Sequence, residues 1–314
     1  MKVGIIGAGL VGSTAAYAII LLKAANEVVL IDKNTKRSIA EAADIQHALP
    51  FISASDVYSG SYDDLKGCKV IVHAAGVSQK PGETRLMLLE RNTAVLREVI
   101  TNAIKYAPDA IFIIATNPVD IITHLSVGFA SELGVPRERI IGTGTTLDTA
   151  RFRALLGRHF GVDPHHVHGY VVGEHGDSEV LIWSNIDVGG VALIDFIKFR
   201  KVEFNTDIKD EIENSVRNAA YKIIEGKGST YYGIGAAIAR LVEIIGRDNR
   251  AILTISTRVK EIVGVKDVTL SLPHLIGGEG DLGVLPLKLI EKEKILLETS
   301  ARIIRNKLDE YDRN

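Results

Sequence analysis

Lys2-Val3-Gly4-Ile5-Ile6-Gly7-Ala8-Gly9-Leu10-Val11-Gly12 joins an apolar run of strand length to a helical stretch through glycines in G-x-G-x-x-G spacing. A second apolar run, Glu27 to Ile31, ends at Asp32, 20 residues after Gly12. In that order the glycines have separate physical tasks: Gly7 permits a tight turn, Gly9 lets the backbone approach a pyrophosphate, and Gly12 lets helix and strand pack closely. The amides of the helix N-terminus then face the phosphate charge. A carboxylate at Asp32 accepts hydrogen bonds from ribose hydroxyls and repels a 2′-phosphate, which favours NAD over NADP. FAD is the other dinucleotide that this fingerprint serves. A further glycine turn, Ala74-Ala75-Gly76-Val77, ends a later strand and is expected to line the same crevice.

The pattern continues outward. Strands are predicted at Lys2 to Ile6, Glu27 to Ile31, Asp56 to Tyr58, Lys69 to Ala74, Ala110 to Ala115 and Arg139 to Ile141. Helices are predicted between them at Leu10 to Lys23, Thr35 to His47, Leu86 to Tyr106 and Val119 to Glu132. Alternation of this kind is the signature of βαβ units, and strands so uniformly apolar are covered on both faces. The fold class is therefore α/β: an N-terminal Rossmann, doubly wound parallel sheet over residues 1–142, followed by an α+β catalytic domain over residues 143–314. In the second half, Ile208, Ile212, Val216, Ala219 and Ile223 recur at helical spacing, as do Leu297, Ala301, Ile304 and Leu308, and both stripes are expected to face the core. Strands are predicted there at Val167 to Val172 and Val268 to Leu272.

Composition excludes several function classes. The 314 residues are 46% hydrophobic and carry 37 Lys+Arg against 39 Asp+Glu, a formal charge of −2. That balance argues against a nucleic-acid footprint or a polybasic membrane anchor. Cys68 is the single cysteine, so there is neither an intrachain disulfide nor a thiolate cluster, and a reducing cytoplasm is the expected location. Val3 to Leu22 is charge-free and long enough to span a bilayer, but Gly4, Gly7, Gly9 and Gly12 break it into a strand, a turn and a helix. The closely spaced His165, His166 and His168 have no cysteine or tight acidic set beside them, and no metal site is expected.

Four segments place polar or charged residues among small and apolar ones: Gln79 to Arg85, Thr116 to Asp120, Leu147 to Arg151, and Gly173 to Asp177. The first two follow strands of the parallel sheet and so can reach its crevice. Asp148 and Arg151, three apart, share a helix face, while His175 sits in a glycine-flanked turn. A carboxylate beside a histidine orients the ring and stabilises its imidazolium, and arginines offer a planar fork to a substrate carboxylate. The set suits hydride chemistry on a keto acid.

Six ordered motifs, GAGLVGS, AAGVSQKPGETRL, ATNPVD, LDTARFR, GEHGDSE and KGSTYYGIG, span essentially the whole chain. Together they make it similar to the lactate/malate dehydrogenase family, and within it to the bacterial NAD-dependent L-lactate dehydrogenases. The resemblance implies His175 as proton donor and acceptor, Asp148 as its partner, Arg151 as carboxylate clamp and Arg85, in the family's active-site lid, as carbonyl-polarising residue. It implies Gln79, Arg85, Asn117, Asp148, Arg151 and Thr230 around a pyruvate or lactate substrate. For NAD it implies Gly7, Gly9, Val11, Gly12, Asp32, Arg37, Tyr62, Gly76, Val77, Thr116, Asn117 and Thr143. Gln79 stands where malate dehydrogenases typically carry arginine, and a neutral amide suits pyruvate's methyl side. Thr143-Gly144-Thr145 replaces the more usual Ser-Gly-Thr and leaves side-chain breadth open. Arg153 and His168 match the pair that binds fructose 1,6-bisphosphate in activated members, and the resemblance also implies a homotetramer.

Overall fold

In chain order the elements are β1 (Lys2–Ile6), α1 (Leu10–Leu21), β2 (Glu27–Ile31), α2 (Thr35–Ala48), β3 (Asp56–Ser59), β4 (Cys68–His73), α3 (Arg85–Tyr106), β5 (Ile111–Ile114), α4 (Val119–Glu132) and β6 (Ile140–Gly142). There follow α5 (Thr146–Phe160), β7 (Val167–Val172), β8 (Val180–Val188), β9 (Val191–Ala192), α6 (Leu193–Arg200), α7 (Thr206–Arg217), α8 (Ala219–Lys227) and α9 (Tyr232–Arg247). The chain ends with β10 (Ala251–Ile262), β11 (Val265–Gly277), β12 (Gly280–Val284) and α10 (Glu291–Asp312). The structure, a computed structural model, describes residues 1–52, 54–77 and 85–313, leaving aside the side chains of Arg85, Leu86 and Leu88.

Six parallel strands in the order β3-β2-β1-β4-β5-β6 form the doubly wound sheet expected from the glycine turn and its βαβ repeats. Their residues alternate between two cores with the period of two that a strand imposes. Val3, Ile5, Val28, Leu30, Val70 and Val72 face one side, where α1 and α9 cover them. Ile6, Val29, Ile31, Ile71, Phe112 and Ile114 face the other, beneath α3 and α4.

The C-terminal half does not stand apart from this sheet. The antiparallel strands β10, β11 and β12 extend it beyond β6, through the pairing of Ser256 with Gly142. A separate sheet, β7-β8-β9, packs with α5, α6 and α7 around Phe152, Phe160, Ile186 and Phe196. Leu297, Ala301, Ile304 and Leu308 are buried along α10, as their spacing predicts. The other stripe is shorter than expected. Ile212 and Val216 are buried, but the helix stops at Asn218 and Ile223, on α8, is 38% exposed.

Candidate active site

Strand register lines up the turns at the carboxyl end of the parallel sheet. Ile6 pairs with Ile31 and His73, His73 with Ile114, and Ile114 with Gly142. Gly7, Asp32, Ala74, Ala115 and Thr143, which follow those residues, therefore lie along one rim.

At this rim Gly7 has φ +104° and its missing Cβ would stand 2.5 Å from the Ala75 nitrogen, so no other residue fits without strain. A Cβ on Gly12 would meet the Gly7 carbonyl oxygen at 1.8 Å, which is the close helix–strand approach that the third glycine permits. Gly9 differs: its Cβ would project into open space, and as N-cap of α1 it offers no side-chain acceptor to the first-turn amides. Those amides need an acceptor from elsewhere. Asp32 takes hydrogen bonds from the Ala8 and Asn34 amides at 2.7 and 2.8 Å, which hold its carboxylate over the glycine turn with lone pairs to spare. An open cradle of amides with a fixed acid beside it fits the pyrophosphate and adenosine ribose of NAD.

The other expected cofactor residues lie on several elements. Val11 is half-buried in the first turn of α1. Val77 donates its amide to Asn92 at 2.9 Å, and a Cβ on Gly76 would touch Thr116 Cγ2 at 3.0 Å. The Thr116 hydroxyl donates to the Ala75 carbonyl at 2.7 Å, and Thr143 is buried. Asn117 is exposed in the turn before α4. Arg37 is exposed on α2 beside Glu41, and Tyr62 packs half-buried in the short turn after β3.

The chemical residues converge from two elements. Asp148 and Arg151 lie one turn apart on α5 and His175 lies in the turn after β7; Arg151 Nη1 reaches Asp148 Oδ1 at 2.6 Å and His175 Nδ1 reaches Asp148 Oδ2 at 2.6 Å. Asp148 is buried, whereas the His175 side chain is 29% exposed. Burial alone would lower the His175 pKa, but the Asp148 hydrogen bond and charge, with Asp120 and Glu179, outweigh it and raise it to about 9. Burial likewise opposes ionisation of Asp148, and the hydrogen bond to His175 and the charges of His175 and Arg151 bring it below its ordinary value.

Two acids in the same place were not among the expected site residues. Asp120 is buried in the first turn of α4; its Oδ2 accepts the His175 amide at 2.8 Å and its Oδ1 accepts the Ser256 hydroxyl at 2.5 Å. Burial pushes it up to about 6. Glu179 is buried, and its Oε1 has no hydrogen-bond partner among the described residues. Burial, with the Asp148 charge, pushes it up to about 8. Both close quoted motifs, ATNPVD and GEHGDSE, but their partners, the His175 amide and Ser256 for Asp120 and the Asp148 charge for Glu179, are distant in sequence and give no local signal. The neighbouring Glu174 is held by α10, its amide donating to Ser300 Oγ at 2.8 Å and its carboxylate accepting Lys307 Nζ at 2.6 Å. No local sequence pattern carries that tie.

Thr230 is half-buried in the turn between α8 and α9; Tyr231, not Thr230, occupies the N-cap position. Gln79 and the Arg85 side chain lie outside the described residues. Arg153 stacks against Tyr170 at 5.4 Å and donates to the Gly169 carbonyl, and His168 is exposed on β7 next in sequence to Gly169.

The profile of the lactate/malate dehydrogenase NAD binding domain matches residues 1–142, and that of the lactate/malate dehydrogenase alpha/beta C-terminal domain matches residues 145–313. An L-lactate dehydrogenase of Geotalea daltonii is 52% identical over 309 residues, 98% of this chain and 99% of that protein. One of Thermus aquaticus is 50% identical over 305 residues, 97% of each chain. The crystal structure of a minor L-lactate dehydrogenase from Enterococcus mundtii in the ligands-bound form superposes with a TM-score of 0.93 at 37% identity, covering 98% of this chain and 97% of that one. With an NAD cradle at the sheet's carboxyl rim and a histidine–aspartate–arginine group beside it, the chain belongs to the lactate/malate dehydrogenase family and is an NAD-dependent oxidoreductase.

Proposed function

We propose that the enzyme catalyses the reversible reduction of pyruvate to L-lactate with NADH, with His175 as its acid and base. The observation that carries this reading is the continuous chain Arg151–Asp148–His175, linked at 2.6 Å on each side. Bound NADH supplies the hydride. Because the His175 pKa is raised, the ring is protonated at neutral pH and can deliver a proton to the carbonyl oxygen as negative charge develops there. Nδ1 is committed to Asp148, which leaves Nε2 to exchange the proton. In the oxidation direction the neutral ring takes it back. Arg151 gives Asp148 one donor of a guanidinium that has more, and the rest of the fork suits a substrate carboxylate. The resemblance supports Arg85 as the residue that polarises the carbonyl, Asn117 and Thr230 as substrate residues, and Gln79 as a neutral amide suited to pyruvate's methyl group.

The resemblance also supports a cytoplasmic homotetramer, divided into an NAD-binding domain over residues 1–142 and a catalytic domain over residues 143–314, with Arg153 and His168 as an activating fructose 1,6-bisphosphate site. Two apolar surface areas agree with self-association. Tyr17, Leu21 and Tyr232 surround one hollow beside α2, and Val191, Ile194 and Phe199 stand out from β9 and α6.

The direct test follows NADH absorbance with pyruvate, oxaloacetate and a branched 2-oxo acid in parallel. Pyruvate is expected to be the preferred substrate, and Gln79→Arg to raise oxaloacetate turnover relative to pyruvate, because it supplies a countercharge for the second carboxylate. Preference for oxaloacetate in the unsubstituted enzyme would overturn the assignment. No oxidation with any of the three would point to a dinucleotide sensor.

A further inference from the structure

The turn that carries His175 is fixed at the main chain as well as at the ring. Asp120 Oδ2 accepts the His175 amide at 2.8 Å, while Oδ1 accepts the Ser256 hydroxyl at 2.5 Å. Asp120 belongs to the first turn of α4, immediately after the Asn117-Pro118 segment at the cofactor rim. Ser256 belongs to β10 and pairs with Gly142 at the end of β6. One buried carboxylate thus joins the cofactor rim, the strand that extends the sheet, and the histidine turn.

We propose that Asp120 is a positioning residue for His175: it ties the histidine's main chain to the turn bearing Asn117 and keeps a second negative charge near the imidazolium. The proposal rests on the acid–base reading of His175. A neutral side chain could accept an amide at lower cost, since burying a carboxylate is expensive unless its charge is compensated. The charge has a compensating partner in the imidazolium, which Asp120 helps to keep protonated. The groups facing His175 are Asp148 and, farther round, Arg151 from α5, Asp120 from α4, and Glu179 from the segment entering β8; Arg217 of α7 faces Glu179, and Glu174 faces Asp120. Of the acids acting on the ring, Asp120 also holds the backbone from which the ring projects. Its loss therefore affects both place and charge.

The test compares the full-length wild type with Asp120→Asn and Ser256→Ala. The His175 ring is titrated by NMR, and the pH profile of NADH oxidation is recorded. Asp120→Asn is expected to lower the His175 pKa by about one unit. The alkaline limb of pyruvate reduction should move with it, so that kcat on that limb falls about tenfold while the KM for NADH stays unchanged. Ser256→Ala removes a hydrogen bond that favours the ionised carboxylate, but Asp120 is still charged at the higher pH where His175 titrates, so the ring is expected to titrate like the wild type. In the wild type itself, the His175 amide resonance should report the Asp120 ionisation as a step near pH 6, a measurement that needs no variant. An unshifted ring pKa in Asp120→Asn, or a His175 amide resonance that reports no carboxylate ionisation at any pH, would overturn the proposal. The NMR readouts do not depend on turnover, so a wild type inactive on every 2-oxo acid would defeat the acid–base reading while the titration still decides the role of Asp120.

Discussion

Four titrating side chains, His175, Glu179, Asp120 and Asp148, share the chemical site, and their proton affinities link it to the stability of the fold. The His175 value of about 9 lies above its ordinary 6.5, and the Glu179 value of about 8 lies above its ordinary 4.5. Each binds its proton more tightly folded than unfolded. The stability this contributes is complete below the ordinary values and is lost as pH rises through about 8 for Glu179 and about 9 for His175. Asp148, shifted down, acts in the opposite sense and contributes stability that is lost in acid. The unfolding free energy of the ligand-free enzyme, measured in urea, should therefore fall between pH 6.5 and 9. The ceiling is about 1.4 kcal/mol per pH unit for each group, less where solvent screens the half-exposed ring. Glu179→Gln, neutral throughout, should flatten the Glu179 share of the slope; an unchanged slope would refute its burial as a protonated acid. His175 was legible in the sequence because glycines and acids bracket it. The state of Glu179 was not, because the groups that set it come from α5, α7 and the His175 turn, which only the folded chain brings together.

Among the elements, the contact of α1 with α9 bears most directly on the cofactor cradle. A Cβ on Gly235 would stand 2.6 Å from Thr14 Cγ2 and 3.1 Å from the Thr14 carbonyl carbon, so the two helices meet with no room for a methyl group. Gly235→Ala gains up to about 1 kcal/mol of helix propensity. Overpacking against a backbone atom costs about 1 to 3 kcal/mol. The expected outcome is a lower urea midpoint at unchanged m-value, with weaker NADH binding because α1 presents the first-turn amides. A higher midpoint would show that α9 can move away. The parallel strands were legible because most are short apolar runs bounded by turns, while their order and register came only from the folded chain. The long hairpin β10–β11 was mostly hidden, because Arg258, Lys260 and Glu261 in one strand and Lys266 and Asp267 in the other interrupt its apolar pattern. Its strand character comes from pairing, from Ala251 with Ile276 to Ile262 with Val265, rather than from local composition. The break between α7 and α8 was hidden for the converse reason: apolar spacing continues through Asn218 although the helix does not.

At the scale of the whole molecule, the sheet β7–β8–β9 connects the strand that carries His168 with the strand leading into α6, which bears exposed apolar residues. Phe199 is 79% exposed and Ile194 65% exposed on α6, in the same half as Arg153 and His168. Arg153 is anchored by the Gly169 carbonyl and the Tyr170 ring, and burial lowers its pKa against the pull of Tyr170 and Asp187. His168 stands one residue from that anchor and pairs across the sheet with Asp187. If a second copy covers the apolar residues, the Arg153 guanidinium groups of both copies approach one another, and their repulsion opposes the assembled state until a bisphosphate bridges them. Pyruvate saturation curves recorded with and without fructose 1,6-bisphosphate test this directly. The sugar bisphosphate is expected to lower the pyruvate half-saturation by about 5- to 150-fold, the usual range of an allosteric coupling. Arg153→Gln should retain the unliganded curve and lose the response, since its guanidinium donates to the Gly169 carbonyl and stacks on Tyr170 rather than joining the Arg151–Asp148–His175 chain. Sedimentation of both proteins over the same ligand series separates activation by assembly from activation within a fixed oligomer: in the first case mass rises with activity, in the second it stays constant. Superimposable wild-type saturation curves would leave Arg153 and His168 as interface charge and remove regulation from the account of this face.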